Sequence, residues 1–236
     1  MLILSRPLLN IGAKLVQALP PQPCLLCGAP SRNGPWCVAC DADLPRLPDL
    51  HCPRCALPTP NGDTCGRCLK RAPQFDRTCA AFAYAFPLDK LVQALKYNEQ
   101  LLLANSLADK MALCIEQLPD CVVPMPLHPA RLRQRGFNQS LELARHIAHK
   151  LDLLLLPCAC QRLRDTPPQS ALPWKERGKN MRAAFACTED FTGMHVAVVD
   201  DVMTSGASLN EMARALRRAG ASEISAWVVA RTLPHT

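Results

Sequence analysis

The chain has 236 residues, 49% of them hydrophobic, and a formal net charge of +7. That length suits one well-cored domain with a small appendage. No apolar run approaches the ~20 residues of a membrane-spanning helix, so a bilayer span is excluded as an expectation. The mild basic excess suits phosphorylated small molecules or nucleic acid, although many ordinary proteins share it.

The opening segment, "MLILSRPLLNIGAKLVQALPP", lacks a positive region ahead of a long apolar core and lacks a small-residue cleavage site, so no secretory leader is expected. Apolar residues recur at helical spacing from Leu8 to Leu19. An N-terminal helical segment over 1–20 is therefore expected, packing on its own protein in preference to a membrane surface.

Eight of the 14 cysteines follow between Cys24 and Cys68, all in C-x-x-C pairs. Cys24, Cys27, Cys37 and Cys40 form one set; Cys52, Cys55, Cys65 and Cys68 form another. Nine residues separate the two pairs of each set. A C-x-x-C turn aims two thiolates at one cation, and a second turn completes a tetrahedral site. Four soft thiolates select zinc or iron, and a closed site points to structural zinc, about two ions per chain. An iron–sulfur cluster or redox dithiols remain as alternatives, and interleaved pairing of the two sets stays open beside sequential pairing. Metal ligation places the chain in a reducing, cytoplasmic setting. Few large apolar residues occupy this stretch, so metal binding and folding should be coupled. The region 21–72 is thus expected to be a double zinc ribbon. The other six cysteines read as small buried hydrophobes.

From residue 73 to 236 strand-like and helix-like segments alternate, the pattern of an α/β domain. "TCAAFAYAF" predicts a strand or hairpin arm. "PLDKLVQALKY" and "LLANSLADKMALCIEQL" predict helices, and "CVVPMPL" a short strand. "NQSLELARHIAHKL" predicts a helix capped by Asn138 or Ser140. "LPCACQRL" fits a strand. Residues 164–185, with paired prolines and many charges, predict a long loop. "HVAVVDDV" is a buried parallel-type strand, "SLNEMARALRRAG" a helix closed by Gly220, and "EISAWVVART" the last strand.

The chemistry concentrates after Val196–Val199. Ligands of parallel sheets bind at the carboxyl ends of strands, where Asp200 and Asp201 stand. Carboxylates there can accept bonds from sugar hydroxyls or orient water around Mg²⁺. Successive strand residues face opposite ways, so the pair is expected to act together only where the strand opens into a loop. Thr204, Ser205, Gly206, Ala207 and Ser208 then combine hydroxyls, backbone N–H groups and a helix start into a phosphate cradle. No G-x-x-x-x-G-K-[ST] occurs, so a nucleoside-triphosphatase loop is not supported.

Four aliphatic residues, two acids, one aliphatic and then x-T-S-G-x-S resemble the 5-phosphoribosyl-1-diphosphate (PRPP) motif of type I phosphoribosyltransferases. "VPMPLHPARLRQRGFNQSLELA", "RLRDTPPQSALPWKERGKNMRAAF" and the cysteine pairs resemble the ComF family of competence-associated proteins, from Cys24 to Thr232. The resemblance implies an α/β type I phosphoribosyltransferase fold, a central parallel sheet flanked by helices, preceded by a small four-cysteine zinc-ribbon module. It implies an amidophosphoribosyltransferase-like protein serving uptake or use of external DNA. Asp200 and Asp201 would bind the ribose hydroxyls of PRPP, with Mg²⁺, and Thr204–Ser208 its 5-phosphate. Lys96 and the loop carrying Arg131, Arg133 and Arg135 are candidates for the pyrophosphate. A flexible hood would map to 162–182.

Between His128 and Arg182 eleven Lys/Arg face four acids, an excess equal to the whole-chain charge. Single-stranded DNA is the expected macromolecular ligand for such a stretch, with Phe137, Trp174 and Phe185 as stacking candidates, although core packing suits each of them too. Competence-machinery proteins are expected partners, and peripheral membrane contact is compatible with the sequence. No residue identifies an acceptor or a catalytic acid or base. An active transferase, a non-catalytic PRPP or nucleotide sensor, and a DNA-handling protein that keeps a ligand site all stay open.

Overall fold

The computed structural model describes residues 21–32, 34–97, 101–164 and 184–234. The helix expected over Leu8–Leu19 and most of the hood expected at 162–182 lie outside those residues. The chain divides into two compact units, Met1–Asp43 and Leu44–Thr236.

In the first unit β1 (Gln22–Pro23) pairs antiparallel with β2 (Pro30–Ser31), and α1 (Val38–Ala42) follows. Among its described residues the buried ones are Cys24, Ser31, Pro35 and Trp36. Trp36 Nε1 donates to Asp41 Oδ1 at 2.8 Å, and Ser31 Oγ donates to the carbonyls of Gly34 and Trp36.

The second unit opens with α2 (Gly66–Lys70) and is built on a five-stranded parallel sheet. Its strands are β3 (Arg77–Ala83), β4 (Cys121–Pro124), β5 (Leu154–Leu155), β8 (His195–Met203) and β9 (Glu223–Arg231), in spatial order β3–β9–β8–β4–β5. The aliphatic run Val196–Val199 is buried throughout, as a strand covered on both faces requires. Helices α3 (Leu88–Tyr97), α4 (Leu101–Ala112), α5 (Pro129–Arg135), α6 (Gln139–Leu151) and α7 (Ala207–Arg218) complete the domain. On α6, Leu143, Ala144, Ile147 and Ala148 recur at helical spacing and are buried where the helix packs on β4, β8 and α4. Each fully buried Leu or Ile contributes about 2 kcal/mol. A separate antiparallel pair joins β6 (Cys160–Arg162) to β7 (Phe185–Cys187), and α7 packs on it.

Two expectations are corrected. The strand does not open into a loop at the aspartates: β8 continues through both to Met203, with Asp200 opposite Val228 and Met203 opposite Arg231. Backbone pairing with β9 holds both acids inside the ladder. The six cysteines outside the C-x-x-C pairs also differ among themselves. Cys121 and Cys160 are buried, but Cys158 lies exposed in the turn before β6, and the Cys160 and Cys187 sulfurs face each other at 2.8 Å across the β6–β7 pair. Phe185 is buried in the core, with the Arg162 guanidinium over its ring, so of its two readings core packing is the one observed.

Candidate functional site

The carboxyl end of β8 is assembled from three neighbouring segments. Met125, just past β4, donates its N–H to Val199 O at 2.8 Å, and Asn138 Nδ2 donates to Met125 O at 3.1 Å. Asn138 Oδ1 also caps α6 by accepting from Ser140 N. The cap fixes the first turn of α6, and Ser140 Oγ then donates to Asp200 Oδ1 at 3.0 Å. The same oxygen accepts from Asp201 N at 2.9 Å. The Asp201 carboxylate stays within reach of the Asp200 carboxylate, and the two interact side chain to side chain. It also meets α3, where Lys96 Nζ stands 2.6 Å from Asp201 Oδ2. The two acids thus form a pair whose outer partners differ, a hydroxyl for Asp200 and an ammonium for Asp201.

Their electrostatics diverge accordingly. Burial, reinforced by the neighbouring Asp201 charge, pushes the Asp200 carboxyl up to about 8. Burial also opposes ionisation of Asp201, but the Lys96 ammonium outweighs it and holds that carboxyl below the usual range. For Lys96 itself burial works against the cation, and Asp201 more than compensates, so its ammonium is held above the ordinary value.

The turn follows at once. Gly206 takes φ +79°, a left-handed conformation that favours glycine, while a Cβ there would stand 2.9 Å from Met203 Cε, the flexible end of a side chain that can move aside. Ser205 Oγ accepts from Ala207 N, and Asn210 N donates to Gly206 O to begin α7. A helix start leaves first-turn N–H groups without intrahelical acceptors and carries the positive end of the macrodipole. Thr204–Ser208 is half-buried, a geometry suited to an anion at the mouth of a cleft.

The segment carrying Arg131, Arg133 and Arg135 is a helix, α5, not a loop. His128 caps it by accepting from Ala130 N, Pro129 occupies the first turn, and Gly136 closes it in the left-handed region. Arg133 is exposed, and Arg135 donates to Gln139 Oε1 at 2.7 Å.

In each cysteine set all four sulfurs lie within 4.8 Å of one another. A tetrahedron with Zn–S bonds of about 2.3 Å has S···S edges of about 3.8 Å. The Cys27–Cys37 and Cys55–Cys65 sulfurs stand 3.7 Å and 3.6 Å apart. Pairing is sequential, and both donor sets fit a structural zinc ion. Backbone N–H groups of Leu26 and Cys37 point at Cys24 Sγ, as a thiolate in a knuckle requires.

Sequence reasoning missed Arg231. It ends β9 fully buried, and its guanidinium donates to Cys55 O, Met203 O, Thr204 O and Thr232 O. The signal was one cation closing the apolar run Ala226–Ala230. Ser140 was noted as a capping candidate, not as a partner of Asp200.

Comparison with known proteins bears on this geometry. The double zinc ribbon domain family matches residues 15–69, and the phosphoribosyl transferase domain family matches residues 138–234. Competence protein F of Haemophilus influenzae is 33% identical over 175 residues, covering 70% of this chain and 76% of that protein. DNA utilization protein YhgH of Escherichia coli K12 is 34% identical over 220 residues, covering 89% of this chain and 97% of that protein. Among solved structures, the glutamine phosphoribosylpyrophosphate amidotransferase of B. subtilis superimposes with a TM-score of 0.41 at 17% identity, over 58% of this chain and 30% of that one, a likeness too slight to bear on function.

Proposed function

We propose, from the premise that this chain belongs to the ComF family of competence and DNA-utilization proteins, that its phosphoribosyltransferase domain binds PRPP with Mg²⁺ in the service of DNA uptake or utilization. The observation that carries the proposal is the junction of β8 and α7: two paired acids with different outer partners, followed without interruption by an anion turn that favours glycine. The turn takes the 5-phosphate through Thr204–Ser208. The ribose hydroxyls donate to Asp200 and Asp201. Arrival of the sugar at Asp201 competes with Lys96, and the released ammonium can then face the pyrophosphate. Mg²⁺ bound with the ligand would offset charge on the pyrophosphate oxygens. Arg131, Arg133 and Arg135 remain candidates for the same role.

Equilibrium dialysis against labelled PRPP with Mg²⁺ tests this reading. One ligand per chain, displaced by ribose 5-phosphate, is the expected result. No retention by the zinc-loaded protein contradicts it.

A second reading concerns transfer. A Lys96 that is released from Asp201 by ligand would stand where a departing pyrophosphate needs a cation, which favours a pentosyl transferase acting on a nitrogen nucleophile. Pyrophosphate release from PRPP in the presence of amines, bases or oligonucleotides would establish turnover; binding without release would make the protein a sensor.

The basic stretch between His128 and Arg182 is proposed to hold single-stranded DNA through its phosphates. A cytoplasmic location and contact with competence-machinery proteins go with that role. Among the described residues no helix is long and apolar enough to cross a membrane.

A further inference from the structure

Arg231 poses a problem of charge. It is fully buried, and among the described residues no carboxylate pairs with it. An uncompensated buried cation is strongly unfavourable. Its hydrogen bonds go only to neutral carbonyls: Nε to Cys55 O at 2.7 Å, and Nη1 to Met203 O, Thr204 O and Thr232 O. Its Nη2, also buried, has no hydrogen-bond acceptor among the described residues. The compensating charge stands in the adjacent knuckle. Four thiolates on one divalent zinc carry a net charge of −2, and the Cys55 and Cys68 sulfurs favour the charged guanidinium against its burial and the neighbouring Arg67 cation. Arg231 is thus the buried counter-cation of the second cysteine set, with Arg67 as a second cation beside it.

The other end of the same guanidinium grips the phosphate turn. Met203 and Thr204, whose carbonyls it holds, lead directly into Ser205 and Gly206. A parallel support runs beside it. Thr78 N and Oγ1 donate to Pro53 O and Arg54 O, between Cys52 and Cys55, and the same hydroxyl lies 4.0 Å from Met203 Sδ. Met203 in turn packs under Gly206.

We propose that Arg231 is a positioning residue that ties the zinc-loaded Cys52–Cys55–Cys65–Cys68 knuckle to the Thr204–Ser208 turn, so that the second metal site sets the affinity of the phosphate pocket while the first, in the Met1–Asp43 unit, does not. The proposal rests on the PRPP reading for the identity of the ligand. Its physical content is a linkage: if zinc in the second site favours ligand binding, the ligand must favour zinc in the second site by the same factor.

The experiment uses the zinc-loaded full chain. Zinc release to a chromogenic chelator is followed with and without saturating PRPP and Mg²⁺, and calorimetry on the same sample reports whether PRPP binds. A Cys24→Ser/Cys27→Ser variant, which lacks the first site, assigns the phases. The expected result is that PRPP slows release from the second site by about three-fold or more and leaves release from the first unchanged. Arg231→Gln should retain zinc at both sites, lose that protection and bind PRPP at least about ten-fold more weakly. Arg231→Lys, which keeps the charge but cannot span from Cys55 O to Thr204 O, should recover thermal stability without recovering affinity. PRPP binding that leaves the second release phase unchanged overturns the coupling. So does a folded Arg231→Gln protein that keeps both the protection and the wild-type affinity for PRPP. Calorimetry showing no PRPP binding to wild type is a failure of the ligand reading, seen before any variant is compared.

Discussion

At the scale of single residues, the site is shaped by how Asp200 and Asp201 share one strand. Asp200 is raised to about 8 by burial beside a second acid, so the folded chain binds a proton there that the unfolded chain has already lost. A carboxyl raised in this way reduces stability as pH rises from about 4 toward 8, and the full penalty is present above the folded value. Asn keeps an oxygen for Ser140 and for the Asp201 N–H. Asp200→Asn should therefore raise the melting temperature by about 3 °C at pH 8, an effect of about 1 kcal/mol, and by much less at pH 5, while losing ligand. A melt at both pH values checks the sign. Asp201 has the opposite character: its depressed carboxyl contributes stability that is lost only as pH falls below the ordinary carboxylate range. Lys96→Gln strands that buried carboxylate, and chemical denaturation should show a loss of about 2 kcal/mol. Lys96 was singled out in the sequence for its position at a helix end, but its partner was not legible, because Asp201 lies far along the chain on another element. Ser140 was hidden behind its equally sound reading as a cap.

At the scale of elements, periodicity and punctuation carried far. The aliphatic run of β8, the buried stripe of α6 with its Asn138 cap, and the Gly220 that follows α7 all stand where their patterns place them. Local rules failed where a cap or a pairing decided the outcome. Arg131–Arg135 carries so much like charge that it reads as a loop, yet His128, Pro129 and Gly136 supply a start and a stop for one short helix. β8 runs on through two acids because β9 offers backbone partners as far as Arg231. The cysteine sets were legible to the residue, since C-x-x-C spacing is a direct statement of geometry. Metal analysis of the purified chain should return about two zinc ions, falling to about one in Cys24→Ser/Cys27→Ser; iron, or no metal, would contradict the donor sets described above.

At the scale of the whole molecule, the basic stretch was legible as composition. Its placement was not, because charge counts carry no information on which side chains share a surface. Binding of single-stranded DNA through phosphates predicts an affinity that falls steeply with salt, with log Kd against log salt giving a slope of about 0.7 per phosphate neutralised. Fluorescence anisotropy of a labelled oligonucleotide, with and without PRPP, measures that slope; affinity independent of salt would contradict a phosphate-led contact. The central claim concerns the β8–α7 junction, and isothermal titration calorimetry of PRPP with Mg²⁺ into the zinc-loaded chain tests it most directly. The account predicts one site per chain for wild type and no measurable heat of binding for Asp200→Asn/Asp201→Asn with its zinc and its fold intact. Wild type without binding, or a double variant that binds as wild type does, would contradict it.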